Sequence, residues 1–410
     1  MRPIITSAPP SLNIELTSFM HDFVSTVLDG RQEQDWRALS PGRYSVLSGA
    51  WKGHDWHHEI LVVEPQVRVS NNTCYLEITG HDAGEPDAAY AQALADSLGV
   101  TVAFLFDVPN QPLFEMSEDD LIAHTFERFV ETGDSEWPLL VPMVRSALAA
   151  IDVIFDLTLG RTTHFVIGGA SKRGWTAWLT AATGDARIRG IVPVVFDNLN
   201  MAAQMKHQHA LWNGSSPMIV DYSRRLLDRL AMSAEGADLL RLVDPWNYLP
   251  RLRCPALVVN GSRDPYWTVD AARQYYDHLP AGSGLQIVGN MGHSIGEWEY
   301  RLPTVAAFVR RVAGVAPFPS TRFAIRSEKD RATIIGQSDM PPNKIRIWGA
   351  AEQGVWFADS EFFVDTLDSP EVTIPSRPEY DQAVYMEFEF NSEAEPIRLT
   401  SPAVIIPKSN

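Results

Sequence analysis

Cysteine, positive charge and long apolar runs are scarce in this sequence of 410 residues. The two cysteines, Cys74 and Cys254, make no disulfide framework, and we interpret both as buried, inert thiols beside predicted strands. Asp and Glu outnumber Lys and Arg by 51 to 34, and the formal net charge of −17 argues against nucleic acid or an anionic membrane surface as the main partner. No run of about 18 apolar residues is present that could span a bilayer.

Targeting and cofactor motifs are also missing. Residues 1–12 have neither the basic nor the apolar segment of a signal peptide, so we expect none in this chain, and the compartment stays open. No G-x-G-x-x-G follows a predicted strand, and no P-loop pattern occurs. His54, His57 and His58 crowd one segment, but that segment looks like a turn entering a strand rather than a helix with metal ligands. We therefore expect no cofactor and no metal site.

Apolar runs of strand length alternate with helical periodicity through most of the chain, and 45% of its residues are hydrophobic. This alternation predicts parallel strands joined by helical crossovers, with helices on both faces of one sheet. The predicted strands are 44–48, 58–63, 75–79, 102–106, 164–168, 191–196, 256–260 and 285–288. The predicted helices are 13–29, 86–98, 137–157, 175–182, 269–279 and 295–312.

The most informative motif is Gly-Ala-Ser-Lys-Arg-Gly at 169–174, where an apolar run passes into a helical pattern. A serine between glycines at a strand-to-helix turn is typical of a nucleophile elbow, whose strained backbone lifts the hydroxyl above the sheet edge. The spacing departs from the usual one, because Arg173 stands where the second glycine is expected and Gly174 follows it. Taken alone, the motif is also compatible with phosphate binding or with simple helix capping.

A serine nucleophile at Ser171 needs a base and an orienting acid. In a sheet of this kind the acid and then the histidine should follow the serine, each in a loop at the carboxyl end of a strand. Predicted strand 256–260 runs into a loop with Asp264, and predicted strand 285–288 runs into a loop with His293. We therefore predict a catalytic triad of these three residues.

Two alternatives concern the acid. Asp264 has the position of a turn or capping aspartate before Pro265. Asp270 competes for the catalytic role, but it falls in the first turn of a predicted helix, where a carboxylate complements the helix dipole.

Hydrolysis also needs hydrogen-bond donors for the developing oxyanion. The backbone N–H of Lys172, directly after the nucleophile, is the first candidate. The second should come from the loop after predicted strand 75–79, where Gly80, His81 and Asp82 are open alternatives. The run Ser-Glu-Asp-Asp at 117–120 is interpreted first as the capped start of a helix, with a carboxylate facing the pocket as the alternative.

With these motifs the chain resembles the PhoPQ-activated pathogenicity-related proteins, a family that includes the autocrine proliferation repressor proteins. The matching residues are 108–113, Glu118 and Asp119 with 121–123, Trp137 and Pro138 leading to Pro142 and Met143, 169–176, Asp244 and Pro245 with Tyr248, Asn260 and Gly261 with Asp264, and Trp56 with His58. The likeness covers about residues 15–315. Its most specific part is the elbow with the Trp-Thr extension that follows it.

The resemblance implies an α/β-hydrolase fold related to serine peptidases and esterases. It carries Ser171, Asp264 and His293 over as the triad, and it implies that Asn110 and Gln111 lie beside the pocket mouth. The resemblance also implies export, since many family members look exported, whereas we expect no signal peptide from residues 1–12.

We therefore predict an α/β-hydrolase domain at 1–316 with a helical cap insert at about 198–252. A small antiparallel β domain, sandwich-like, should follow at 317–410. The expected function is that of a serine hydrolase, peptidase-like or esterase-like, acting on a small-molecule or peptide substrate. The alternative is a secreted signalling or virulence-associated interaction protein with little catalysis, which binds a protein partner through the C-terminal β domain.

Overall fold

The structure is a computed structural model that describes residues 23–294, 298–392 and 395–409. Residues 23–29 are helical (α1), whereas the earlier part of predicted helix 13–29 lies outside the described residues. In the part of the chain that the structure describes, no helix has the length and apolar character needed to cross a membrane.

A large mixed sheet forms the centre of the fold. Its strands are β1 (Asp35–Ser40), β2 (Arg43–Trp51), β3 (His54–Val63), β4 (Thr73–Ile78), β5 (Thr101–Leu105), β6 (His164–Ala170), β7 (Ile188–Val194), β8 (Leu257–Gly261) and β9 (Gly284–Val288). The main helices around it are α2 (Glu85–Leu98), α3 (Glu118–Thr132), α4 (Leu140–Leu157), α5 (Lys172–Ala182) and α10 (Trp298–Val312). All residues of β5 are buried, as expected for a strand that helices cover on both faces, and all residues of the last strand, β9, are buried as well.

The order of the strands determines where a site can form. The sheet runs β1-β2-β3-β5-β4-β6-β7-β8-β9, and the pairs from β5 to β9 are parallel. The chain passes from β4 to β5 on one side and later reaches β6 on the other side of β4. The loops that follow β4 and β6 therefore diverge, and such a switch point opens a crevice at the carboxyl ends of the strands.

Helices fill the connection between β7 and β8, within the predicted cap insert. They are α6 (Met201–Trp212), α7 (Val220–Ser223), α8 (Leu227–Leu230) and α9 (Ala237–Val243). The indole N–H of Trp175 on α5 donates to Val243 O at 2.6 Å, and the buried Asp244 accepts from the backbone N–H groups of Met201 at 2.7 Å and Trp246 at 3.0 Å. Trp175 thus attaches the insert to the elbow helix, and Asp244 joins the start of α6 to the turn that follows α9.

Two antiparallel sheets follow the large sheet, which confirms the predicted fold class. The first contains β10 (Thr321–Ser327), β11 (Arg331–Ser338) and β14 (Glu371–Pro375); the second contains β12 (Lys344–Glu352), β13 (Phe363–Leu367), β15 (Asp381–Phe390), β16 (Ile397–Thr400) and β17 (Val404–Ile406). One apolar cluster joins Val288 of β9 with Met386 of β15 and Leu399 of β16. The C-terminal sheets therefore pack directly on the last strand of the large sheet. The division of the chain at residue 316 stays a prediction.

Two elements differ from their predicted form. The predicted helix 269–279 consists of two 3₁₀ turns, Ala271–Gln274 and Tyr276–His278. Tyr275 interrupts them with φ −143°, and its buried hydroxyl donates to Asp197. The strand β1 was missed because it is a mostly exposed edge strand without alternating polarity.

His58 on β3 is a buried, neutral histidine. Its Nδ1–H donates to Phe106 O at 3.0 Å, and its Nε2 lies 2.8 Å from the hydroxyl of Ser146 and 3.1 Å from that of Ser48. Burial lowers the pKa of His58 from 6.5 to about 4. Burial disfavours the charged imidazolium, and these contacts link the ring to Ser146 on α4, so the residue serves to pack β3 against α4.

We expect His58 to make the stability of the protein pH-dependent. Because its folded pKa lies below its unfolded value, the unfolded chain takes up a proton first, and stability falls as the pH drops from about 6.5 to about 4. The loss should reach about 3 kcal/mol over this range. Urea unfolding at several pH values should show this loss of stability in wild type. The control His57→Gln, which changes an exposed neighbour, should show the same loss, and His58→Gln should show a weaker dependence on pH. An NMR titration that gives His58 a pKa near its ordinary value would contradict the assignment.

Candidate active site

Ser171 lies at the turn between β6 and α5 and has a strained backbone. Its φ is 55° and its ψ is −124°, a left-handed φ that a residue with a side chain rarely adopts. The turn is fixed on both sides, because Ser171 N donates to Val194 O of the neighbouring strand at 2.8 Å and Ser171 O accepts from Trp175 N at 3.1 Å. This is the local geometry of a nucleophile elbow.

The shifted glycine spacing of the motif has a steric reason. A Cβ atom on Gly169 would lie 2.7 Å from the backbone C and O of Arg173, and one on Gly174 would lie 3.0 Å from Gly169 O. The strand and the first helical turn therefore cross most closely at positions 169 and 174. The Cβ atom of Arg173 also lies at this crossing, 2.9 Å from the same Cβ position on Gly169, and the rest of its side chain extends to the loops around the elbow.

The Arg173 side chain ties together the loops around the elbow. Its guanidinium lies over Gly80, where a Cβ atom would be 1.6 Å from Nη2. Its Nε donates to Val108 O at 2.6 Å, and its two Nη atoms donate to the Glu118 carboxylate at 2.9 and 2.7 Å. Arg173 thus links the loop after β4, the loop after β5 and the start of α3, which explains why arginine occupies the usual glycine position.

The structure brings the three residues of the predicted triad together. His293 Nε2 is 3.0 Å from Ser171 Oγ, and His293 Nδ1 is 2.9 Å from Asp264 Oδ2. The second carboxylate oxygen of Asp264 accepts from Tyr266 N at 2.9 Å. The Asp264 side chain is only 6% exposed, so it holds the Nδ1–H tautomer of His293 and leaves Nε2 facing the serine hydroxyl.

Asp270 and Tyr266 have different relations to this histidine. Asp270 lies 2.8 Å from His207 Nε2 on α6, and that contact raises the pKa of His207. Asp270 therefore takes part in a pair of its own. Tyr266 stacks on the His293 ring with centroids 3.9 Å apart. Sequence reasoning missed Tyr266, and its place two residues after Asp264 in the same loop is the signal that could have indicated it.

A cavity opens beside Ser171, with about 820 Å³ of empty space that includes the open solvent at its entrance. Most of its wall comes from the insert between β7 and β8, from α3 and from the residues that follow Asp264. Its lining is mainly apolar and aromatic: Phe126, Trp175, Phe196, Met201, Met205, Ile219, Tyr222, Leu227, Ala231, Gly236, Leu239, Leu240, Val243, Tyr266 and Trp267, with the polar residues Asp119, Lys172, Asn198 and Asp228. This is the composition of a small-molecule pocket with a few fixed polar groups. Because Asp119 lines the cavity, the alternative interpretation of the run 117–120, in which a carboxylate faces the pocket, is confirmed.

The predicted oxyanion residues divide into two groups. Lys172 begins α5 and lines the cavity. Gly80 lies beneath the Arg173 guanidinium, and His81 turns its ring toward Asp87 at 3.0 Å; neither lines the cavity. Lys172 therefore stays the first candidate because it lines the cavity directly after Ser171, and both oxyanion donors stay predictions.

Asn110 and Gln111 do not line the cavity either. The Asn110 amide donates to His57 O at 3.2 Å, and Gln111 exchanges two hydrogen bonds with Glu118, at 2.5 and 2.8 Å. Gln111 therefore supports the carboxylate that receives Arg173. Burial alone would raise the pKa of Glu118, but hydrogen bonds and charge from Arg173 and Lys172 hold it well below its usual range.

The loops with Asp264 and His293 also contact the C-terminal sheets. Asn290 exchanges two hydrogen bonds with the backbone of Phe362, Nδ2 to O at 3.0 Å and Oδ1 from N at 2.8 Å. Arg263 Nε donates to Ala358 O at 3.1 Å. Both partners lie between β12 and β13, so this connection of the C-terminal sheets supports the two loops.

Asn290→Ala should therefore lower about 10-fold the kcat of any reaction in which His293 acts as the base, with KM nearly unchanged. The variant removes both bonds to Phe362, and alanine tolerates the left-handed φ of 62° less well than asparagine. Steady-state kinetics well below the melting temperature would measure the effect. Asn343→Ala is the matched control, because Asn343 Oδ1 also accepts from a backbone N–H, that of Asn391, away from the site. Equal kcat in the two variants would contradict the positioning role.

Among the described residues, no group of three or more His, Cys, Asp or Glu side chains is arranged to hold a metal ion. His57 is exposed on one face of β3, whereas His58 is buried on the other and has both ring nitrogens in the contacts described above.

A family model and a curated protein both match this chain. The family described as PhoPQ-activated pathogenicity-related protein matches residues 28–355. Autocrine proliferation repressor protein A of Dictyostelium discoideum is 29% identical over 322 residues, which are 73% of this chain and 65% of that protein. The chain thus spans about two thirds of the length of this curated relative.

Solved structures with the same architecture include two acetyl xylan esterases. The one from a Paenibacillus species has a TM-score of 0.52 at 15% identity, over 74% of this chain and 96% of that chain. Acetyl xylan esterase 1 from a Thermoanaerobacterium species has a TM-score of 0.50 at 15% identity, over 73% of this chain and 94% of that chain. At such identities the likeness concerns the α/β-hydrolase fold alone.

Proposed function

The chain belongs to the family of PhoPQ-activated pathogenicity-related proteins, and on this premise we propose that it is a serine hydrolase that cleaves an acyl bond through an acyl-enzyme. The observation that carries the proposal is the line of hydrogen bonds from Asp264 through His293 to Ser171, at the edge of an apolar cavity. A strained serine backed by a histidine and a buried carboxylate is the arrangement that this chemistry requires.

The proposed reaction begins with attack of Ser171 Oγ on the substrate carbonyl carbon while His293 Nε2 takes the hydroxyl proton. The carbonyl oxygen becomes an oxyanion, for which the Lys172 N–H at the positive end of α5 is the first donor. His293 then gives its proton to the leaving amine or alcohol as the carbon–heteroatom bond breaks. In the second half, His293 removes a proton from water, and the resulting attack releases the acid and restores the Ser171 hydroxyl.

Both ester and amide substrates fit this mechanism, and they differ only in the leaving group that His293 protonates. We propose that the acyl part lies in the cavity, where aromatic and aliphatic side chains surround it. The insert between β7 and β8 supplies most of that wall and so governs which acyl groups enter.

A panel of substrates tests the proposal. Short aminoacyl-naphthylamides and p-nitrophenyl esters would be offered to wild type and to Ser171→Ala under identical conditions. We expect turnover of at least one class by wild type and its loss in the variant. Turnover of neither class by folded wild type, or equal turnover by both proteins, would count against a serine hydrolase.

The similarity to autocrine proliferation repressor protein A favours a second candidate, a role in protein-mediated signalling. In this chain β13 is an edge strand of its sheet and exposes Phe363 and Val364, which would suit a protein partner. A comparison of wild type with Ser171→Ala distinguishes the two candidate functions. Ser171→Ala would keep a binding function and lose a hydrolytic one.

A further inference from the structure

Asp228 is a buried carboxylate in the wall of the cavity that also contains Ser171. It lies on α8 in the insert, and its side chain is 6% exposed. Its Oδ2 accepts from the hydroxyl of Ser215 at 2.6 Å, and Ser215 Oγ in turn lies 2.8 Å from His209 Nε2. Its Oδ1 is buried and has no hydrogen-bonding partner among the described residues. One oxygen of Asp228 is therefore held in place, and the other is left without a donor.

The other charges at the cavity are balanced. Lys172 Nζ lies 2.6 Å from Glu118 and 3.5 Å from Asp119, and Arg173 also contacts Glu118 at 2.7 Å. Two cations thus face the two carboxylates at the start of α3. Asp228 has no Lys or Arg partner within the part of the chain that the structure describes; its nearest basic group is His209, 3.5 Å from Oδ2.

Burial of the unpaired carboxylate oxygen of Asp228 among apolar side chains costs free energy. The neighbouring residues of the insert that line the same cavity have apolar side chains, and none of them offers a hydrogen-bond donor. They are Leu227, Ala231, Leu239 and Leu240. A buried acceptor without a partner loses its hydration and gains nothing in return, and the loss is greater for a charged group. A ligand that carries an N–H donor and a positive charge would supply both the missing hydrogen bond and the missing charge.

We propose that the cavity binds an acyl group with a cationic nitrogen, an ammonium or a guanidinium, which pairs with Asp228. The aromatic and aliphatic wall between Asp228 and Ser171 then contacts an apolar segment that separates the cation from the scissile carbonyl. This inference rests on the proposed hydrolase function and names its substrate class. It also assigns Ser215 and His209 as positioning residues that turn Asp228 toward the ligand.

Paired esters test the substrate class. Each p-nitrophenyl ester of an ω-amino acid, from glycine through longer chains, is compared with the ester of equal length that ends in methyl. At the chain length that fits, wild type should prefer the ammonium member in kcat/KM by about 10-fold or more, the value of a hydrogen bond to a charged group. Asp228→Asn should bring this ratio close to one. Asp238→Asn, which removes an exposed carboxylate of the same insert, should keep the wild-type ratio.

A binding measurement separates this inference from the hydrolase proposal. Ser171→Ala protein is titrated with hexylammonium and with hexanol, and binding is followed by calorimetry. We expect tighter binding of hexylammonium, and loss of that difference when Asp228→Asn is added. A preference for hexylammonium without any ester turnover would support the cation site and contradict the hydrolase. Ester turnover without a cation preference in either assay would overturn the cation site.

Discussion

Replacing Ser171 with alanine should reduce kcat at least about 10³-fold on any substrate that the wild-type protein turns over. Alanine keeps the packing of the elbow but removes the only atom that attacks the carbonyl carbon in the proposed reaction. The hydroxyl lies 3.0 Å from His293 Nε2, so the base would be left without the group that it activates. What remains is the contribution of oxyanion donors and substrate binding, which is small compared with covalent catalysis.

The matched control for this experiment is Ser369→Ala. Ser369 lies in an exposed turn of the C-terminal sheets, where its hydroxyl accepts from Glu371 N at 3.2 Å. We expect wild-type kcat in that variant. Initial rates measured at saturating substrate would decide the matter, and a Ser171→Ala enzyme with more than a tenth of wild-type kcat would remove the serine from the mechanism.

Asp264→Asn should reduce kcat by about 10³- to 10⁴-fold. The carboxylate accepts the Nδ1–H of His293 at 2.9 Å and stabilises the imidazolium that forms when the serine proton moves. An amide group carries no charge, and its NH₂ end favours the tautomer of His293 in which Nε2 already holds a hydrogen. Because Asp264 Oδ1 is fixed by Tyr266 N, the amide oxygen would keep that bond and turn the NH₂ toward the ring.

Asp270→Asn distinguishes the two candidate acids. Asp270 contacts His207 rather than His293, so this variant should keep most of the wild-type kcat. The two variants would be compared by kcat across the neutral pH range with a common substrate. A larger loss in Asp270→Asn than in Asp264→Asn would mean that the acid was assigned to the wrong residue.

Residues whose placement depends on local sequence were predictable. Each triad member follows a strand directly, in a loop at the carboxyl end of that strand, and the parallel order of β6, β8 and β9 brings those loops to one edge of the sheet. Strand and loop assignments alone therefore sufficed to select Ser171, Asp264 and His293. The same reasoning predicted the antiparallel C-terminal sheets, because turn residues separate short alternating runs there.

Contacts between distant segments were not predictable. Arg173 and Glu118 are 55 positions apart, and nothing in either segment indicates that the guanidinium crosses Gly80 to reach that carboxylate. As a result Gln111, expected at the pocket mouth, instead supports Glu118. The residues of the cavity wall were not predictable from sequence for a related reason. The insert has apolar residues on several helical faces, and only the packing of α6 to α9 on α3 and α5 shows which of them surround Ser171.

The 3₁₀ turns after Asp270 show a different limit. The segment 269–279 has residues that favour a helix, but Tyr275 is drawn out of helical geometry by its buried hydrogen bond to Asp197. A single tertiary contact of this kind outweighs helix propensities, which amount to only about 0.5 kcal/mol per residue.

The most direct test of the central claim, that Ser171 is an activated nucleophile, is labelling with a fluorophosphonate probe followed by peptide mass spectrometry. The proposed mechanism predicts one covalent adduct on the peptide that contains Ser171 in wild type. It also predicts no adduct there in Asp264→Asn within the same short reaction time, and none at all in Ser171→Ala. Folded wild-type protein that takes no label, or label that persists in Ser171→Ala, would contradict the claim.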